Sequence, residues 1–179
     1  DPVRKVSIIP RGQALGVTLS TPETDRYTYQ RHELLAKIDT ALGGRAAERV
    51  VFGEISTGAE SDIREVTRIA RDMVTRWGMS EAVGPIAVAD GNDGATLIPG
   101  LTPASPGLQE LVDREARRIV EEAERRVTEL LTRERQRLDA LAAALLENET
   151  LEQEEAYKAA GLEQPAFDVE QEAKAGSSP

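Results

Sequence analysis

Residues 106–146 read PGLQELVDREARRIVEEAERRVTELLTRERQRLDALAAALL, and this stretch decides the fold class. Leu108, Val112, Ile119, Ala123, Val127, Leu130, Leu138, Leu141 and Leu145 recur at near-heptad spacing. That spacing builds one apolar stripe along a helix, the pattern of a bundle helix or a two-helix seam. The remaining faces carry dense mixed charge, as at Arg114, Glu115, Arg117 and Arg118. Ser105 and Pro106 supply an N-cap and a first helical residue. Unbroken, such a helix rises about 1.5 Å per residue and spans roughly 60 Å. The fold class that follows is mainly α.

Upstream, Leu34, Leu35, Ile38, Leu42, Ala46 and Val50 form a second stripe, so a helix is expected over about 29–52. Gly43-Gly44 falls inside it. Adjacent glycines weaken a helix by about 1 kcal/mol each relative to Ala, so they point to a bend or a close neighbour. Thr57-Gly58-Ala59-Glu60 fits a capping box, with the hydroxyl at N-cap and the Glu at N3. The helix it opens runs to about Trp77 with Ile63, Val66, Ile69, Ala70, Met73 and Trp77 on its apolar face, and Gly78 closes it. Val3–Ile9 and Ala14–Leu19 are strand-like runs around Pro10-Arg11-Gly12-Gln13 and predict a β-hairpin. This small hairpin is expected to pack on the two upstream helices, with the long helix lying across them. Residues 84–107 read as a long loop with a short strand at 86–88. Thr150 with Gln153 predicts one more short helix ending near Gly161. Residues 1–161 then form one domain, and 162–179 an acidic tail with little to bury.

The chain has 179 residues, 22 Lys and Arg against 32 Asp and Glu, and a net charge of −10. An acidic balance of this size argues against a general nucleic-acid surface. Much of the acid lies at the C-terminal end, where 147–179 hold nine acidic and two basic residues. There is no cysteine, which excludes disulfides, thiolate metal sites and cysteine nucleophiles. No apolar run approaches the ~18 residues of a membrane span.

His32, the single histidine, begins a His32-Glu33-Leu34-Leu35-Ala36 sequence. A zincin helix needs a second imidazole one turn later, and position 36 is Ala. His32 therefore reads as a polar position near a helix start. Asp62 sits in a predicted first helical turn, where free N–H groups favour its ionised form. A cation ligand and an ordinary helix-start acid are both open on that ground. Arg45 and Glu48 follow the double glycine and read as a solvated pair. No Lys-Ser/Thr follows those glycines, so a phosphate loop is unsupported.

Four segments, in order, resemble one family. They are Val6-Ser7-Ile8-Ile9-Pro10-Arg11-Gly12 with Ala14-Leu15-Gly16-Val17-Thr18, Gly43-Gly44-Arg45-Ala46-Ala47-Glu48, Ser56-Thr57-Gly58-Ala59-Glu60-Ser61-Asp62-Ile63, and Met73-Val74-Thr75-Arg76-Trp77-Gly78-Met79-Ser80. Together they resemble the peptidase domain of the FtsH family of ATP-dependent zinc metalloproteases. The resemblance covers about 3–157 and is sharp up to Ser80.

It implies that Asp62 is the third zinc ligand, the other two and the general base coming from a His-Glu-x-x-His helix just upstream. Glu48 would hold a ligand's orientation from the second coordination sphere. Leu15, Gly16, Val17 and Thr18 would form the edge strand that a substrate peptide joins. No catalytic residue is expected within this chain, which reads as the part of a peptidase domain that follows its zinc helix. Alone, it is expected neither to hold zinc tightly nor to cleave peptides. ATP and Mg are expected in an upstream ATPase module and a membrane anchor in the N-terminal part. A hexameric ring, protein substrates and a place on the cytoplasmic side of the bacterial plasma membrane complete what the resemblance implies. The competing expectation is a helical oligomerisation module with no chemistry of its own, which the heptad-like spacing also supports.

Overall fold

The computed structural model describes residues 2–10, 16–20, 28–88 and 105–165. They form strands β1 (Val3–Ser7) and β2 (Val17–Ser20), helices α1 (Arg31–Phe52), α2 (Glu60–Thr75), α3 (Pro106–Arg133) and α4 (Arg135–Asn148), strand β3 (Thr150–Glu152) and helix α5 (Gln153–Ala159). The fold is mainly α, as the apolar periodicity dictates. It divides into two compact units, one of residues 26–133 and one of residues 1–25 with 134–179.

The first unit is a three-helix layer. Leu34, Ile38 and Leu42 of α1 meet Val66, Ile69, Ala70 and Met73 of α2 and Val112, Ala116, Ile119 and Ala123 of α3 in one buried cluster. The stripes read from the sequence are the faces that close on one another. Ion pairs tie α3 to its neighbours: Arg45 Nε and Arg49 Nη2 both reach Glu124 Oε1 at 3.2 Å, Arg126 meets Asp39 at 2.7 Å, and Arg71 meets Asp113 at 2.7 Å. At its N-terminus α3 is capped as expected, Leu108 N–H donating to Ser105 Oγ at 3.3 Å. Gly78, at φ +59, reverses the chain after α2, and Met79 N–H donates to the Met73 carbonyl at 2.8 Å. Of the loop expected over 84–107, residues 89–104 lie outside the described residues. Val88 N–H donates to the Thr75 carbonyl at 2.9 Å without forming a strand.

Several expectations are corrected here. Ile63 and Trp77 are exposed, not part of the core. α1 runs through Gly43-Gly44 without a break, and a Cβ at either position would meet nothing within 4 Å. The long helix is two helices, parted at Glu134 (φ −97, ψ 22). The physical reason lies in the stripe. No apolar residue stands between Leu131 and Leu138, so nothing buries that segment and the apolar faces on either side need not stay in phase.

The second unit is a three-stranded antiparallel sheet, order β2-β1-β3, with α4 and α5. The expected hairpin is present: Lys5 pairs with Leu19, Val6 with Thr18 and Ser7 with Val17. Within its unit its core partners are α4, β3 and α5, since Val6 packs with Leu145, Leu151 and Ala156. The strand β3 replaces the helix start expected at Thr150. The cap of α5 instead lies two residues later, in a capping box of Glu152 and Glu155.

Candidate metal-ligand site and substrate-side strand

Asp62 lies in the first turn of α2. A short 3-10 turn, Thr57–Ala59, leads directly into that helix. The capping hydroxyl is Ser56, one residue earlier than the expected Thr57, and its Oγ accepts from Gly58 N–H at 3.2 Å. Glu48, on α1, then holds Ser56 twice. Its Oε2 accepts from Ser56 N–H at 2.8 Å and its Oε1 from Ser56 Oγ–H at 2.7 Å. These bonds hold the Glu48 carboxyl below the usual carboxylate range, the Ser56 hydroxyl contributing most and its N–H next. Ala59, in the same turn, is buried.

Asp62 is half-buried, and its side chain forms no hydrogen bond or ion pair among the described residues. Its neighbours differ, Glu60 being paired with Arg64. A carboxylate with neither oxygen paired is open to water or to a cation. Among the described residues no three of His, Cys, Asp and Glu gather to hold a metal. His32 is exposed in the first turn of α1. Of these donors, Asp62 alone stands at a helix start with its carboxylate unpaired, so any metal held here would need ligands from elsewhere. Arg45 does not pair with Glu48, as expected for a solvated couple, but with Glu124.

The sequence profile of peptidase family M41 matches residues 1–159. The chain belongs to that family. It is 58% identical over 163 residues to "ATP-dependent zinc metalloprotease FtsH 3" of Conexibacter woesei, covering 91% of this chain and 22% of that protein. Against the FtsH protein of Thermobaculum terrenum it is 52% identical, covering 90% of this chain and 26% of the relative. Against that of Rubrobacter xylanophilus it is 50% identical, covering 86% and 24%. The M41 chain therefore spans about a quarter of the length of these relatives.

The substrate-side strand expected at Leu15–Thr18 is in the other unit of the M41 chain. Leu15 lies outside the described residues, while Gly16, Val17 and Thr18 are exposed at one border of the sheet. Ile8 N–H donates to the Glu149 carbonyl at 2.9 Å, so Ile8 and Val6 turn their main chain to β3. By the alternation of an antiparallel ladder Lys5 and Ser7 turn to β2, and Thr18 presents its N–H and C=O to the open edge. Gly16 sits close behind: a Cβ there would stand 2.8 Å from the Ser7 carbonyl oxygen. Ser56 is the residue that sequence reasoning missed. Two adjacent hydroxyl residues, Ser56 and Thr57, left the cap ambiguous by one position.

Proposed function

We propose that this chain is the substrate-strand and third-ligand part of an ATP-dependent zinc metalloendopeptidase that degrades membrane and unfolded cytosolic proteins. The observation that carries the reading is the unpaired, half-buried Asp62 at the head of α2, inside a sequence matched by the M41 profile almost end to end. Asp62 would hold zinc together with two imidazoles from outside this chain, and Glu48 would steady the segment that carries it. The chemistry supplied by bound zinc is Lewis-acid activation for peptide hydrolysis. Asp62 contributes negative charge and a fixed direction of approach. On this reading the proton-accepting group, like the imidazoles, comes from outside this chain.

A substrate peptide would join the sheet beside β2. Thr18 N–H and C=O would bond its main chain, which ignores side-chain identity and suits unfolded substrates. ATP and Mg belong, on this reading, to another module of the complete protein. The partners are protein substrates and further copies in a hexameric ring, on the cytoplasmic side of the bacterial plasma membrane. Among the described residues no helix is long and apolar enough to cross a membrane. On this reading membrane attachment belongs to the N-terminal part of the complete protein.

The test is Asp62→Ala in the complete protein, with casein degradation and ATP hydrolysis measured on one preparation. Loss of degradation with ATP hydrolysis retained supports the reading. Unchanged degradation removes Asp62 from it.

A further inference from the structure

We infer that Ser56 is a positioning residue for the Asp62 carboxylate, clamped by Glu48 so that the turn entering α2 has one orientation. The inference rests on the reading of Asp62 as a zinc donor. Ser56 works in both directions at once. Its Oγ accepts from Gly58 N–H at 3.2 Å, closing the 3-10 turn, while its N–H and O–H both go to one carboxylate on α1. The turn passes into α2 at Glu60 with no intervening loop. α2 has no side-chain cap of its own, its N-cap being Ala59. The direction of the first turn of α2, and of Asp62 on it, is therefore set by the buried Ala59 and by the Glu48–Ser56 clamp.

Ser56 is exposed and could be replaced by Ala without a cavity. What Ala removes is the hydroxyl that links the clamp to the turn. Glu48 then keeps only the N–H of residue 56, and Gly58 N–H loses its acceptor. Thr at position 56 keeps the hydroxyl and separates its role from mere occupancy.

The experiment uses the complete protein as wild type, Ser56→Ala, Ser56→Thr and Asp62→Asn. Zinc affinity is measured by competition with a chromogenic chelator, and amide exchange of Gly58 is followed by mass spectrometry. We expect Ser56→Ala to weaken zinc binding about tenfold, the scale for partners that orient a metal ligand. Gly58 exchange should rise with it, and Ser56→Thr should restore both readouts. If Asp62→Asn sheds zinc while Ser56→Ala binds it within about twofold of wild type, this inference fails and the ligand reading stands. If Asp62→Asn binds zinc as tightly as wild type, both fail together.

Discussion

Glu115 carries a carboxylate into the interior of residues 26–133, and it is not left alone there. Arg118 Nη2 donates to its Oε2 at 3.0 Å and Ser80 Oγ–H donates to the same oxygen at 2.9 Å. The Arg118 bond, ahead of the Ser80 bond, holds this carboxyl below its ordinary value of 4.5, and burial opposes them. A carboxyl whose folded pKa is depressed stabilises the fold fully above its unfolded pKa. That contribution is lost as pH falls through the folded value. Urea midpoints should therefore fall on acidification below about pH 4.5, and Glu115→Gln should flatten part of that fall. At pH 7 the same variant should cost about 1–3 kcal/mol, since Ser80 and Arg118 lose a charged acceptor. At this scale the sequence was legible where a residue type is chemically demanding. The place of Asp62 in a first helical turn was readable and α2 puts it there, but the capping role of Ser56 was not, because hydroxyl caps at neighbouring positions are equivalent until the backbone is known. Glu115 read only as one charge among many on a charged helix, since its burial depends on Ser80, 35 positions away in the chain.

Among the elements, the turn after α2 is closely packed. Gly78 sits at φ +59 and a Cβ there would stand 2.9 Å from Pro85 Cα. Gly78→Ala should destabilise the helical unit by about 1–3 kcal/mol, read as a drop in the urea midpoint. Gly44 is the contrast, lying in helical backbone with open space around it. Gly44→Ala should stabilise this chain by about 0.5–1 kcal/mol in the same assay. In β2, Thr18→Pro would remove the outward N–H while leaving the bonds of Val17 and Leu19 to β1, as an edge strand permits. In the complete protein it should raise KM for an unfolded substrate and leave ATP hydrolysis alone. An unchanged KM would detach β2 from substrate binding. The helical periodicities announced α1, α2 and α3, because each buries one continuous stripe. The break at Glu134 was also written in the sequence, as the polar run between Leu131 and Leu138. β3 was not: a three-residue strand has too few positions to show alternation, and its partner β1 lies at the far end of the chain.

For the molecule as a whole, each unit rests on its own apolar cluster. Met73 and Ile119 are fully buried in the helical one, and truncating either to Ala should cost about 2–5 kcal/mol. Leu151 anchors the smaller cluster with Leu145 and Ala156. The placing of the hairpin was the global feature the sequence did not disclose. Val17 and Leu19 alternate as if facing a core, yet both are exposed, and the sheet buries Val6 beside α4 and α5 instead. Periodicity tells which residues share a face, not which neighbour covers it. The relatives matched are about four times as long as this chain, and the proposed function turns on one carboxylate. The most direct measurement is the zinc content of the complete protein after dialysis against a chelator, for wild type and Asp62→Ala, with ATP hydrolysis as the control for folding. The account predicts that wild type keeps its zinc and Asp62→Ala loses it while still hydrolysing ATP. A variant that retains zinc as firmly as wild type would contradict it.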